Sequence, residues 1–330
     1  MGRYVLRRAL WFLPLTWAAV TLLFVAFHVM PADPVDLMGG SRGVTPQVRA
    51  NIESRLGLDQ PVHVQYGRYM ARLAQGDLGE SFRSGRSVGS ILAQTAPASV
   101  RLAFWAVTIQ VVLGLAAGVL SAVKRKSWAD SLVTVSTTLL LAVPVFVLGY
   151  LLIYTFSVTP AQRGFPDWAR LPAEGIRPDR WLGVIPLGGQ WRSLVLPAVT
   201  LGAVNAALLA RVARGAMLDA LLGDYIRTAE ALGVPRRRII LHHALRNAML
   251  PVLTLVGLSL ADLIGAAVIT ETIFNWPGIG STVARAVLDL DAPVVLGLSI
   301  VLVVTYLAVN LVVDVGYALL DPRARHQDGD

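Results

Sequence analysis

Cysteine is absent from this 330-residue chain, which excludes a disulfide framework, thiolate metal sites and thiol chemistry. Charge is scarce too. Asp, Glu, Lys and Arg make up 15% of the residues, against about 25% in soluble globular domains. The phosphate-cradling pattern G-x-x-x-x-G-K-[ST] is missing, so the chain has no such route to ATP hydrolysis, and H-E-x-x-H is missing as well. Neither Gly257-Leu258-Ser259 nor Gly297-Leu298-Ser299 continues to the glycine of a nucleophile elbow. No constellation for an enzyme remains, and no cofactor site is expected in this chain.

What is present is apolar. Hydrophobic residues make up 55% of the chain and the mean hydropathy is +0.60, so a bilayer is the expected solvent. The net charge of +8 sits in short clusters between apolar runs, without interleaved aromatics, which argues against nucleic acid. An excess of Arg and Lys on the inner side of a membrane protein explains it instead.

A spanning helix takes about 20 mostly apolar residues. Six stretches qualify: Ala9–Met30, Val100–Val123, Leu132–Phe156, Leu194–Met217, Met249–Phe274 and Val294–Leu319. The first has the charged start of a signal peptide, but its run is too long for an h-region and no small-x-small site follows, so it reads as a retained anchor. Prolines 144 and 197 fall in or at the third and fourth spans, where neighbouring helices satisfy the freed backbone groups. The compact clusters Arg3/Arg7/Arg8, Lys124–Lys126 and Arg236–Arg238 all fall on one side, which makes both termini cytoplasmic. The first outward loop, residues 31–98, carries two helix patterns. In one, Thr45 caps, Pro46 starts, Val48, Ile52 and Leu56 share a face, and Gly57 follows. The other runs from Pro61 to Gln75 with Val62, Tyr66 and Leu73 inward, before Gly76. This region reads either as a packed cap or as a docking surface.

Between the fourth and fifth spans lies a polar island, DYIRTAEALGVPRRRIILHHALRNAMLP, Asp224 to Pro251. Asp224 suits an N-cap and the positive end of a helix dipole. A helix from there through Leu232 meets Gly233 in the C′ place, with Pro235 beyond. Tyr225, Ala229 and Leu232 fall on one face, Arg227 and Glu230 on another. Alone in water so short a helix is marginal, so packing must hold it. It fits either a groove in a partner or the surface of anionic lipid, for which Arg236–Arg238 would serve. His242 and His243, adjacent on a helix, point about 100° apart and do not share a metal.

DYIRTAEALG resembles the cytoplasmic EAA loop of binding-protein-dependent ABC importer permeases. More specifically, the chain resembles the B-type permease subunit of dipeptide, oligopeptide and nickel uptake systems. PADPVD, GDLGESFRSGRSVGSIL, HALRNAMLPV, ETIFNWPGIG and YALLDPRAR match in order along nearly the whole chain. Arg227 and Thr228 stand where the general pattern has Glu and Ala, in the form typical of the peptide branch, and Glu230 and Leu232 replace basic residues common there. The resemblance implies an all-α, six-helix, type I ABC importer transmembrane fold in a bacterial inner membrane, supplying half of a pathway for peptides. It implies partners as well: a homologous C-type permease, two ATP-binding subunits that use ATP and Mg, and an extracytoplasmic solute-binding protein. The short helix would be the coupling helix, with Tyr225, Arg227, Thr228, Ala229, Glu230 and Gly233 meeting the ATPase. Nickel or another solute is the alternative cargo, and a secondary transporter acting without an ATPase the alternative class, though no convincing inverted repeat is visible.

Inside the fifth span, Asp262 is a carboxylate in an apolar run, beside a Gly257/Ala261/Gly265 ridge suited to close helix packing. With Ser259 it either glues helices or lines the translocation pathway. The orientation is directly testable because no native cysteine interferes. A single cysteine at Ser54 or Arg86 is expected to react with an impermeant maleimide from outside, and one at Arg236 is not; the reverse pattern inverts the topology.

Overall fold

The computed structural model describes residues 2–29, 46–47, 60–174, 181–186 and 190–320. The expected helix after Thr45 and the PADPVD and DPRAR motifs lie outside these residues, in whole or in part. The helices are α1 (Gly2–Val29), α2 (Val62–Ala74), α3 (Val88–Val123), α4 (Trp128–Ala142), α5 (Val145–Ile153), α6 (Trp191–Leu221), α7 (Asp224–Ala231), α8 (Leu245–Ile273), α9 (Ile279–Leu288) and α10 (Ala292–Leu320). A two-stranded antiparallel hairpin, β1 (Trp181–Leu182) with β2 (Ile185–Pro186), lies between α5 and α6. The all-α expectation holds.

Among the described residues, five helical passages are long and apolar enough to cross a bilayer: Val88–Val123, Val145–Gln162, Trp191–Leu221, Arg236–Ile273 and Ala292–Gly316. The expected first span is α1, apolar over Leu10–Ala26. The expected third span, Leu132–Phe156, is divided. α4 stops at Ala142, Val143 is extended at φ −89°, ψ 124°, and α5 starts behind Pro144. The cause is local: proline has no N–H to donate and pushes the residue before it out of the helical region. α5 continues through a π-turn, Tyr154–Val158, to Gln162. The second span begins a few turns earlier than expected, with Pro97 inside the helix, and Pro197 likewise lies within α6. α9 is a helix that the sequence pattern did not announce.

The chain forms two compact units, one running from Ala98 to Trp276 and again from Val309, the other from Gly2 to Pro97 and from Pro277 to Ala308. The first is organised around α6. Of its apolar stretch 72% is buried, against 11% for Val145–Gln162, so α6 is the central post and α5 presents its side chains outward, as a lipid-facing helix does. Small residues let α3 meet α6. A Cβ on Gly114 would come within 2.8 Å of the Ala206 carbonyl oxygen, on Gly118 within 2.7 Å of that of Ala210, and on Gly202 within 2.5 Å of that of Ala106. Backbone therefore touches backbone along this seam, the arrangement that drives helix association where lipid removes the hydrophobic force. At the end away from α7, the hairpin closes on α3: Trp105 Nε1 donates to the Val184 carbonyl at 2.8 Å and Arg101 Nε to that of Gly183 at 2.8 Å. Trp181 meets Trp276 edge-on at 6.4 Å.

In the second unit, α2 starts after Pro61 and gives way to Gln75 and Gly76. Tyr66 and Leu73 face inward, while Val62 is exposed. Tyr66 Oη and Thr21 Oγ1 of α1 share a hydrogen bond at 2.7 Å. The GDLGESFRSG segment folds into a tight loop pinned by Asp291, a buried carboxylate that accepts from Ser81 Oγ at 2.5 Å and from the Phe82 amide at 3.0 Å.

Filling the α3–α6 seam should be costly, since overpacking a tight contact typically destabilises by about 1–3 kcal/mol. Gly118→Val is expected to lower the unfolding temperature of the purified subunit. Gly215→Ala, at a glycine with open space around it, is expected to leave it unchanged. Equal melting of the two variants in detergent would refute the seam.

Candidate functional site

The polar island resolves into a rigid elbow. α6 ends at Leu221, and Leu222 and Gly223 alone join it to α7. Gly223, not Asp224, is the N-cap. Asp224 is the first helical residue, where its charge still faces the positive end of the dipole, and its carboxylate meets Arg227 Nη1 at 3.3 Å across an exposed i, i+3 pair. Gly223 is required by contact: a Cβ there would lie 2.5 Å from Tyr225 Cε1. The Tyr225 ring folds back, and its hydroxyl donates at 2.9 Å to the Ala220 carbonyl, which also accepts from the Gly223 amide at 3.2 Å.

The other end is closed by a Schellman motif. The Gly233 amide donates to the Glu230 carbonyl and the Val234 amide to that of Ala229, both at 3.0 Å, with Gly233 at φ +75°. That left-handed conformation is why glycine stands there. Beyond it, Arg236–Arg238 and a π-segment, Ile239–Ala244, lead into α8.

The buried face of α7 differs from the expected one. Ile226 and Ala229 are 3% and 8% exposed and pack with Met217 and Ala220 of α6, Ala122 of α3, Ile239, Ala244 and Ala248. Of the face shared by Tyr225, Ala229 and Leu232, Leu232 is 78% exposed and Tyr225 is 41% exposed. Apolar spacing along eight residues allows more than one stripe, and the side that meets α6 selects among them. Of the expected site residues, Tyr225, Arg227, Thr228, Glu230 and Gly233 thus share the outer, exposed surface. Ala229 does not: it holds the helix to its own chain.

Beside this elbow is a polar tie that sequence reasoning missed. Asp130, at the start of α4, accepts from Arg214 of α6 through Nε to Oδ1 at 2.8 Å and Nη2 to Oδ2 at 3.0 Å. It also accepts from Ser121 Oγ of α3 at 2.5 Å and from the Lys126 amide at 2.9 Å. Lys126 takes φ +64° to make that turn. The Arg214 guanidinium, then the Ser121 hydroxyl and the Lys126 amide, hold the Asp130 carboxyl well below the usual carboxylate range. Three helices are joined at one carboxylate.

The spans hold two further polar positions of interest. Ser259 does not line a surface: it is 4% exposed and accepts from Gln110 Nε2 of α3 at 2.6 Å, gluing α8 to α3. Asp262, one turn on, is exposed on α8. The ridge beside it is divided. Gly257 packs against Val313, Ala261 is buried, and Gly265 faces open space. A charged side chain at such depth costs at least about 2.5–3.5 kcal/mol in lipid on insertion scales. The Asp262 face therefore calls for water or another polypeptide.

Residues 111–326 match the family model described as binding-protein-dependent transport system inner membrane component, and residues 1–103 match that of its N-terminal part. The chain belongs to this family. It is 40% identical to the dipeptide transport system permease protein of Haemophilus influenzae, over 99% of this chain and 100% of that one. It is 39% identical to the probable D,D-dipeptide transport system permease protein of Escherichia coli K12, over 99% and 98%, and 36% identical to the glutathione transport system permease protein of Salmonella typhimurium, over 99% and 100%. With its apolar passages, the chain is a multi-pass membrane component of a transport system.

The polar tie makes a prediction. Removing one charge from a hydrogen-bonded pair costs about 1.5–3 kcal/mol, so Asp130→Asn is expected to lower stability by about 2 kcal/mol, less for the share of Arg214 that remains solvated. Because the Asp130 carboxyl is held low, this contribution is fully present above about pH 4, its unfolded range. It is lost as pH falls below that, so wild type and variant converge in acid. A gap in melting temperature that stays constant from pH 7 down to pH 2.5 would count against the tie.

Proposed function

We propose that this chain is the permease subunit of an ATP-driven ABC importer of peptides, and that α7 is its coupling helix. It forms half of the pathway with a homologous C-type permease. Two separate ATPase subunits use ATP and Mg, and an extracytoplasmic binding protein delivers the solute. This chain is the non-catalytic part. It sits in a bacterial cell membrane with both termini and α7 in the cytoplasm. The observation that carries the coupling assignment is the elbow itself. A short helix, locked at both ends, places Ile226 and Ala229 in one buried cluster with the π-segment Ile239–Ala244 and with residues of α3, α6 and α8, while Asp224, Arg227, Thr228, Glu230, Leu232 and Gly233 point outward. A load on the outer surface passes to three spans without a compliant joint. A lipid-lying helix would instead leave its apolar side for the membrane; here Ile226 and Ala229 are buried inside the chain. The names of the relatives, for dipeptide, D,D-dipeptide and glutathione transport, support a peptide as cargo. Asp262 is then a residue of the pathway, facing the water or the second permease that its exposure demands.

The two faces of α7 separate in experiment. Thr228→Trp, on the outer surface, is expected to leave the subunit inserted and stable but to abolish ATPase co-purification and peptide uptake. Ala229→Trp is expected to reduce the amount of folded subunit. Glu230→Arg should change ATPase affinity only slightly, as an exposed pair is worth about 0–1 kcal/mol. Wild-type uptake in Thr228→Trp removes α7 from the mechanism. Asp262→Asn is expected to assemble normally and to lose uptake, most for cationic peptides.

A further inference from the structure

Arg211 is a cation that meets no counter-charge among the described residues. It stands on α6, inside the fourth expected span, and is exposed. Its guanidinium donates from Nη2 to Thr138 Oγ1 of α4 at 2.7 Å, and among the described residues no carboxylate pairs with it.

Its depth and direction follow from the neighbouring tie. Arg214 reaches Asp130, close to the Lys124–Lys126 turn; Arg211 reaches Thr138. On α6 the two arginines are about 4.5 Å apart along the axis, whereas on α4 their partners are about 12 Å apart. The two side chains therefore diverge along the axis, and the Arg211 guanidinium is the deeper of the two in the span. A cation stranded in lipid does the opposite and bends its stem to the nearer polar surface. Ser131, Thr134 and Thr138 are all exposed at i, i+3 and i+7 on α4, a row of hydroxyls leading from the turn to the guanidinium. Charged and hydroxyl groups gathered at this depth suit a water-filled passage.

A guanidinium presents a planar fork of donors that matches a carboxylate, and Thr138 occupies only one of its prongs. We propose that Arg211 is a cargo-binding residue of the pathway, taking the carboxylate of the passing peptide while Thr138 fixes the orientation of the fork. The ligand rests on the peptide-importer reading; the exposed, uncompensated cation does not.

The test uses the complete transporter in liposomes with its binding protein and a radiolabelled dipeptide. Arg211→Gln and Arg211→Cys are expected to import about tenfold more slowly, with the second permease, the ATPases and binding-protein-stimulated ATP hydrolysis retained at wild-type levels. Treating Arg211→Cys with an aminoethyl thiosulfonate, which restores a cation, should return at least half of the lost uptake. A sulfonatoethyl or methyl reagent should return none, and wild type treated in parallel controls for thiols in the partners. Three results overturn the proposal: wild-type uptake in both variants, loss of the second permease from the complex (Arg211 is then an interface cation), and a cysteine that no aqueous reagent reaches with or without ATP (it then faces lipid). A wild-type complex that hydrolyses ATP but imports no peptide overturns the peptide reading, and with it the carboxylate as ligand.

Discussion

The contact on which the rest depends is that of α3 with α6, where Gly114, Gly118 and Gly202 bring backbone against backbone. In water, burying apolar side chains would hold two such helices together. In a bilayer the lipid tails are equally apolar, so close packing and buried polar bonds must supply the association. The same seam is then pinned by Ser121, Asp130 and Arg214, while Gln110 with Ser259 ties α3 to α8 at another level. α6 becomes a buried post, and the elements that meet it inherit its rigidity.

That rigidity gives α7 its mechanical meaning. Tyr225 closes the last turn of α6, the Schellman motif closes α7, and Ile226 and Ala229 seat it among residues from three spans. The elbow acts as one body because its polar backbone ends are satisfied inside it. Its exposed polar surface is free to be read by something in water.

Much of this was legible in the sequence, and the gaps have physical causes. The spans were visible because a bilayer demands long apolar runs, and the ends of α7 because glycine and proline have few conformational alternatives. The break at Pro144 was visible as a proline but not as a break, because membrane helices keep many prolines intact; Pro197 and Pro251 remain inside their helices. The inner face of α7 was not legible, since one short turn-and-a-half pattern fits two stripes and tertiary contact chooses. Asp130 and Arg214 lie 84 residues apart, and nothing local says that a carboxylate near one span and a guanidinium within another will meet. The glycines 114 and 118, spaced by four, did carry a signal for close packing that went unread. For Ser259 and Asp262 the sequence offered a pair about 60° apart on one side of the helix, and the structure splits them, because the edge of the packed face runs between the two.

The π-segment Ile239–Ala244 has a developmental side. A π-turn holds one more residue per hydrogen-bonded ring than an α-turn, so it behaves as a single-residue insertion absorbed without breaking the helix. Each residue added or removed turns everything downstream by about 100°. Ala244, which ends the segment, and Ala248, just beyond it, belong to one buried cluster with Ile226 and Ala229. The segment is thus a phase keeper: carried as plain α-helix, the same extra residue would leave every downstream side chain chemically intact and aim the entire fifth passage, Asp262 included, at the wrong neighbour.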